Sequence, residues 1–79
     1  MGIKGKKHQD KLKIIGEKIQ ALRKKKGYTQ KELSEKLEIT RVYMGYIEQG
    51  RESPSLSLIF RLSDTLGVKL NVLLDLSKK

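Results

Sequence analysis

Cysteine is absent from the sequence, so neither a disulfide nor a thiolate metal site can stabilise the chain. No apolar run approaches the roughly 20 residues of a membrane span, and residues 1–13 lack the apolar stretch of a signal peptide. The one histidine, His8, has no neighbouring partners of the kind that a metal site or a general base requires. We therefore expect a cytoplasmic protein that is not an enzyme, binds no cofactor or metal and does not enter a membrane.

The chain is short and strongly basic. Its 79 residues have room for one domain, and a chain of this size buries only about 60% of its unfolded surface. Association with a second copy is therefore one source of added stability. The 18 Lys and Arg residues outnumber the 9 Asp and Glu residues, and the net charge of +9 favours a polyanionic partner. Charge alone does not separate a surface that binds nucleic acid from an inert basic one.

Two short helices in the middle of the chain are predicted from their start and stop signals. Thr29 and Glu32 have the spacing of a capping box. Thr40 can cap the second helix, and Gly50 can end it in a left-handed conformation. Only residues 38–40 remain for the turn, and two helices joined so closely match the helix-turn-helix motif, whose second helix can enter the major groove of DNA. The predicted helices are 30–37 and 41–49.

Three further helices are predicted around this motif. Asp10 can cap a first helix that continues to about Lys26. Ser53 or Ser55 can cap the helix that follows the motif, and a short last helix starts near Leu70. Apolar residues recur at helical spacing in these segments and can face one another around one core. The expected core is Ile15, Ile19, Leu22, Leu33, Leu37, Ile39, Met44, Ile47, Leu56, Ile59, Leu62, Leu66 and Val68.

The predicted organisation has three parts. An all-α domain of five helices covers residues 10–76. Residues 1–9 precede it as a flexible basic arm, which either touches phosphates or is simply a fraying terminus. Residues 77–79 form a tail.

Several short motifs occur along the chain at fixed spacing: Ile19-x-x-Leu22-Arg23, Gly27-Tyr28-Thr29-Gln30-x-x-Leu33-Ser34, Ile39-Thr40, Ile47-Glu48-x-Gly50, Pro54-Ser55-Leu56 and Leu66-Gly67-Val68. Their joint spacing resembles the helix-turn-helix family of Cro and the phage repressors, also called the xenobiotic response element family. The match covers about residues 15–74. The resemblance implies a five-helix, lambda-repressor-like domain of a transcription regulator that binds a near-palindromic operator as a homodimer. Short members include restriction–modification controller proteins, phage-type repressors and antitoxins.

The resemblance also implies which residues contact DNA. Gln30 matches a glutamine that binds a phosphate and braces the second helix. Arg41, at the start of that helix, is best placed to bond both acceptors of a guanine. Gly45 permits close approach of the helix to DNA. The implied DNA contacts are Gln30, Thr40, Arg41, Val42, Tyr43, Gly45, Tyr46, Gln49 and Arg51.

Several of these contacts have alternatives. Val42 either meets a thymine methyl or is a plain surface residue. The ring of Tyr43 either faces DNA or packs on the domain. Tyr46 contacts a base or a phosphate through its hydroxyl. Gln49 and Arg51 are expected to meet the DNA backbone, which positions a protein without specifying sequence.

Two matched positions have a structural role, and two other positions depart from the family pattern. Arg23 and Glu48 match a pair that forms an internal salt bridge between the first and third helices. Glu38 stands where the family usually has Gly, so either Glu38 adopts a left-handed conformation at a cost of roughly 1–2 kcal/mol or the turn differs. Lys69 stands where a capping Ser or Thr is common, so the last helix is expected to begin weakly.

The apolar residues near the C-terminus outnumber those that one helix face needs, and a small monomer should not expose such a patch. They either form a twofold dimer interface or complete the core of the monomer. The dimer is favoured, with double-stranded DNA as the main partner. The alternative function is an antitoxin-like DNA-binding protein whose main partner is another protein, such as a toxin. The predicted interface residues are Leu58, Phe60, Leu70 and Leu74.

Overall fold

A computed structural model of the chain describes residues 4–77, with side chains from residue 9 onward. Within this range the secondary structure is entirely helical, which confirms the predicted fold class. None of the described helices is long and apolar enough to cross a membrane. The five helices are α1 Lys4–Lys26, α2 Gln30–Leu37, α3 Arg41–Glu48, α4 Leu56–Leu66 and α5 Leu70–Leu73.

The helices α2, α3 and α4 each begin at a residue whose side chain caps the first turn. Each cap satisfies a backbone N–H that would otherwise have no partner. Thr29 Oγ1 accepts from the Glu32 N–H at 3.0 Å, and Glu32 Oε1 accepts from the Thr29 N–H at 2.9 Å. Thr40 Oγ1 accepts from the Tyr43 N–H at 3.0 Å. Of the two serines predicted as caps for α4, Ser55 takes the role. Lys69 is the N-cap residue of α5, but its side chain accepts no hydrogen bond there, so α5 begins without a side-chain cap, as expected.

The turn between α2 and α3 is left-handed at Glu38, with φ 60° and ψ 42°. Glu38 is the one non-glycine residue with positive φ in the part of the chain that the structure describes. Its N–H donates to the carbonyl oxygens of Ser34 and Glu35, which ends α2. The first of the two predicted alternatives is therefore correct, and Glu38 bears a conformational cost of roughly 1–2 kcal/mol.

The core residues come from all five helices, but two predictions about α4 are wrong. Leu56 is 63% exposed, whereas Leu58, predicted as a dimer contact, is only 3% exposed and belongs to the core. The buried stripe of α4 includes Leu58, Leu62 and Leu66 at spacings of four, which leaves Leu56 and Phe60 together on the outer face. The buried apolar residues are Ile19, Leu33, Leu37, Met44, Ile47, Leu58, Ile59, Leu62, Leu66 and Leu73.

The start of α1 also differs from its prediction. The helix begins at Lys4, so the described part of the predicted arm is helical and Asp10 is not an N-cap. Lys and Gln are good helix formers, and a helix that is already packed extends by one hydrogen bond for each residue added. Residues 1–3 of the predicted arm and residues 78–79 of the predicted tail lie outside the described residues.

Two glycines let α1 approach the C-terminal end of α3 backbone to backbone. A Cβ atom at Gly16 would lie 2.5 Å from the carbonyl oxygen of Ile47 and 2.6 Å from that of Glu48. Gly50, with φ 75°, would place a Cβ atom 2.7 Å from the Cα of Lys13. No side chain fits in these gaps without displacing backbone, so the crossing of α1 over α3 depends on both glycines.

Candidate DNA-binding surface

A buried ion pair fixes α3 from behind. Arg23 Nε donates to Glu48 Oε2 at 2.7 Å, and Arg23 Nη2 donates to Glu48 Oε1 at 3.2 Å. The third guanidinium nitrogen, Nη1, donates to the carbonyl oxygen of Tyr28 at 2.9 Å. Gln30 Nε2 also donates to Glu48 Oε1, at 2.9 Å. One carboxylate therefore joins α1, α2 and α3, and its charge-assisted, bidentate bonds are of the strong kind.

The opposite face of α3 is open to solvent. Met44 and Ile47 point into the core, whereas residues on the opposite side of the helix line a shallow groove with Gln30. Arg41 is exposed at the first position of the helix, and Val42 next to it is 64% exposed. The face thus presents the guanidinium of Arg41, the isopropyl group of Val42, a phenol and an amide. The groove residues are Gln30, Arg41, Val42, Gly45, Tyr46 and Gln49.

Two predicted DNA contacts lie at the edge of this face. The Tyr43 ring is half-buried and packs against the core, so of the two alternatives for this residue the structure favours packing on the domain. Thr40 is exposed, and its hydroxyl oxygen accepts the Tyr43 N–H. A hydroxyl that accepts in this way still has its own hydrogen to donate to a phosphate.

Gly45 lies in the middle of the exposed face without an internal reason to be glycine. A Cβ atom there would meet only the side-chain amides of Gln30 and Gln49, at 4.0 Å, which is an ordinary contact. Glycine in a helix interior costs about 1 kcal/mol relative to alanine. No contact in the described part of the chain therefore accounts for a glycine here.

Arg51 follows α3 and lies back over it. Its guanidinium carbon is 4.7 Å from the centroid of the Tyr46 ring. Arg51 Nη1 also approaches Gln49 Oε1 at 3.4 Å. The family resemblance implies that all three residues meet DNA, but it does not indicate this stacking. The five-residue spacing of Tyr46 and Arg51 across Gly50 is the only signal that the sequence offered.

The described residues contain no cluster of three His, Cys, Asp or Glu side chains that could hold a metal ion. Instead, the site consists of two short helices at a three-residue turn, with the second helix buried on one side and polar on the other. This geometry defines a helix-turn-helix protein.

Comparison with known proteins agrees with this class. The helix-turn-helix family model matches residues 19–73. The immunity repressor protein of Bacillus phage phi105 is 36% identical over 59 residues, which cover 75% of this chain and 41% of that protein. The HTH-type transcriptional regulator SinR of Bacillus subtilis is 36% identical over 63 residues, which cover 78% of this chain and 57% of that protein. The chain thus spans about half the length of these relatives.

A solved structure shares the fold. The restriction-modification controller protein C.AhdI from Aeromonas hydrophila superposes with a TM-score of 0.74 and 31% sequence identity, over 78% of this chain and 94% of that one. The chain belongs to the helix-turn-helix family of the Cro and phage-repressor type. This is a family of DNA-binding transcription regulators and not of enzymes.

Proposed function

We propose that this chain is a sequence-specific transcription regulator that binds a near-palindromic operator as a homodimer, with residues 41–49 in the major groove. The observation that carries the proposal is the two-sided character of α3. Its inner face is fixed by the core and by the Arg23–Glu48 pair, while its outer face is exposed and polar. A rigid helix with free polar groups is the arrangement that reads base edges in DNA.

Residue roles follow from position along this surface. Arg41, at the N-terminal end of α3, reads a base, because N-terminal residues of a recognition helix reach the base edges. Gln30 and Thr40 stand at the start of α2 and α3, where backbone N–H groups also face an approaching phosphate. Gln49 and Arg51 contact the backbone at the other end of α3. The net charge of +9 supplies the general attraction.

Selection of bound sequences from random duplex DNA tests the proposed function directly. We expect an enriched motif with two related half-sites, whose centres are separated by about one turn of DNA, roughly 34 Å. The matched control is the same selection with Arg41, Gln49 and Arg51 all changed to alanine, which should enrich nothing. If the unchanged chain also enriches no motif, the proposal of sequence-specific binding is wrong.

Gly45→Ala should separate folding from DNA binding. We expect the free protein to become more stable by about 0.8–1 kcal/mol, because alanine is the better helix former and its Cβ has room. Affinity for the selected operator should nevertheless fall about tenfold, or about 1.4 kcal/mol, because the added methyl lies where DNA approaches α3. Thermal unfolding and a binding titration measure the two effects. A variant that is both more stable and equally tight in binding would refute a role for Gly45 at the DNA surface.

The dimer part of the proposal rests on exposed apolar residues near the C-terminus. Phe60 is 48% exposed and Leu74 is 38% exposed. Leu70 is half-buried and packs on the core, so it lies at the edge of any interface. Leu58 is excluded because it lies inside the core. Burial of these side chains between two copies would remove apolar surface from water at about 25 cal/mol per Å². The exposed apolar residues of α4 and the C-terminal segment are Leu56, Phe60, Val72, Leu74 and Leu76.

Leu74→Asp should give a folded monomer that binds the operator weakly. A carboxylate placed in an apolar interface loses its hydration, so we expect the dimer dissociation constant to rise at least tenfold, which is about 1.4 kcal/mol. Sedimentation equilibrium measures the change. Val42→Asp is the matched control, because it adds the same charge at an exposed apolar residue of α3, outside the proposed interface, and should leave the dimer intact. A wild-type chain that sediments as a monomer at high micromolar concentration would refute the interface.

The same apolar residues also favour a second candidate function. An antitoxin-like regulator would cover Val72, Leu74 and Leu76 with a different protein rather than with a second copy. The two functions can be distinguished by expressing the chain together with the products of the neighbouring genes and then purifying it. A stoichiometric second protein whose binding is lost in Leu74→Asp would support the antitoxin-like function.

A further inference from the structure

We propose that Tyr46 acts as a platform that holds Arg51 ready for a phosphate of the DNA backbone, and that its hydroxyl does not read a base. The inference rests on the proposed function, since it requires that the outer face of α3 meets DNA. In this proposal the Tyr46 ring orients Arg51, a role that the location of Tyr46 on α3 does not indicate by itself.

The backbone after α3 brings the two side chains together. Gly50 adopts a left-handed conformation with φ 75°, which turns the chain back toward the helix. The Arg51 N–H then donates to the carbonyl oxygen of Tyr46 at 2.9 Å. As a result the guanidinium lies over the ring at 4.7 Å, within the range of a cation–π interaction. Because Gly50 is itself locked against Lys13 of α1, this arrangement is tied to the body of the domain.

The Arg51 guanidinium is held in place but keeps its charge available. Among the described residues, no carboxylate lies within ion-pair distance of it. Its side-chain hydrogen bond is a long one, from Nη1 to Gln49 Oε1 at 3.4 Å. A guanidinium presents five donors in a planar fork, so donors remain for a bidentate bond to the two free oxygens of a phosphodiester. The ligand that fits this group is therefore a backbone phosphate next to the C-terminal end of α3.

Stacking on Tyr46 makes the phosphate contact stronger by reducing the cost of ordering Arg51. A free arginine side chain loses much rotamer freedom when it is immobilised at an interface. A stacked guanidinium has already lost part of that freedom in the free protein. The contribution of Tyr46 is then made through its ring and is the same for every DNA sequence, because a phosphate carries no sequence information.

Four variants test the proposal on the selected operator and on a scrambled duplex of equal length. Tyr46→Phe keeps the ring and should bind both duplexes as the wild type does. Tyr46→Leu should bind both about two- to fivefold more weakly for each bound copy of the chain, which is the range of an exposed cation–π interaction. Arg51→Gln should weaken both and lower the salt dependence of binding by about one phosphate contact for each bound copy. Tyr46→Leu combined with Arg51→Gln should bind no more weakly than Arg51→Gln alone, because the ring acts only through the arginine.

Two results would overturn the proposal. In the first, Tyr46→Phe loses affinity for the operator but not for the scrambled duplex, which means that the hydroxyl reads a base. In the second, Tyr46→Leu and Arg51→Gln weaken binding independently, which means that the residues act apart. Far-ultraviolet circular dichroism confirms that each variant is folded before binding is measured. Failure of the wild type to prefer the operator would instead refute the proposed function, so the two failures are distinguishable.

Discussion

Glu48→Gln is expected to remove a large part of the stability of the folded domain. The substitution removes the carboxylate that compensates the buried Arg23 guanidinium, and Gln30 loses its charged acceptor at the same time. Breaking a buried pair from one side typically costs about 3–5 kcal/mol. A domain of this length has a total stability of only about 4–12 kcal/mol, at roughly 0.05–0.15 kcal/mol for each residue. Urea unfolding followed by circular dichroism measures the loss.

Two control variants separate the lost charge from the lost hydrogen bonds. Gln30→Ala removes one of the bonds to Glu48 but leaves the ion pair, so it should cost only about 1 kcal/mol. Replacing the pair together, Arg23→Met with Glu48→Leu, should recover most of the stability, because apolar residues of similar volume avoid the desolvation cost. An unfolding midpoint for Glu48→Gln that matches the wild type would show that the pair does not stabilise α3.

Local signals in the sequence were sufficient to place the ends of the middle helices. The hydroxyls of Thr29 and Thr40 each bond an N–H three residues later, so local contacts define where α2 and α3 begin. Gly50 likewise adopts its predicted left-handed conformation. The wrong prediction of a cap at Asp10 shows the limit of such signals, because a capping residue type can also lie inside a helix that starts earlier.

The face of α4 could not be chosen in the same way. Leu56, Leu58 and Phe60 are all apolar and close together, so helical spacing allows more than one stripe. The choice depends on which side meets the other helices, and the structure buries Leu58 while leaving Leu56 and Phe60 outside. Gly16 is a second case, since a glycine within an amphipathic helix gives no sign that two carbonyl oxygens of another helix lie against it.

At the candidate site, too, some features were predictable from the sequence and others were not. The exposed positions of α3 follow from its helical period and from the family resemblance, and the structure brings them together in one groove with Gln30. The stacking of Arg51 on Tyr46 was not predictable, because it requires the left-handed turn at Gly50 and the contact of that turn with α1. Sequence patterns therefore identified the surface but not how its side chains support one another.

Arg41→Ala is expected to change which DNA sequences the protein prefers, rather than only how tightly it binds. Arg41 is the first residue of α3 and is exposed, so its guanidinium can reach the O6 and N7 acceptors of a guanine. Loss of such a bidentate contact costs about 1–3 kcal/mol of discrimination, and a twofold dimer loses it in both half-sites. Selection from random duplex DNA with the variant should return the wild-type motif with one position in each half-site relaxed.

The proposed phosphate contacts supply the matched control for this prediction. Gln49→Ala should weaken binding to every duplex by a similar factor and leave the selected motif unchanged, because a phosphate is the same at every base pair. Arg41→Lys keeps the charge but loses the planar fork, so it should retain general affinity while losing part of the preference for guanine. If Arg41→Ala instead weakens all duplexes equally and its motif keeps every position, Arg41 contacts the DNA backbone. The base-reading role would then have to belong to Val42, the neighbouring exposed residue at the start of α3.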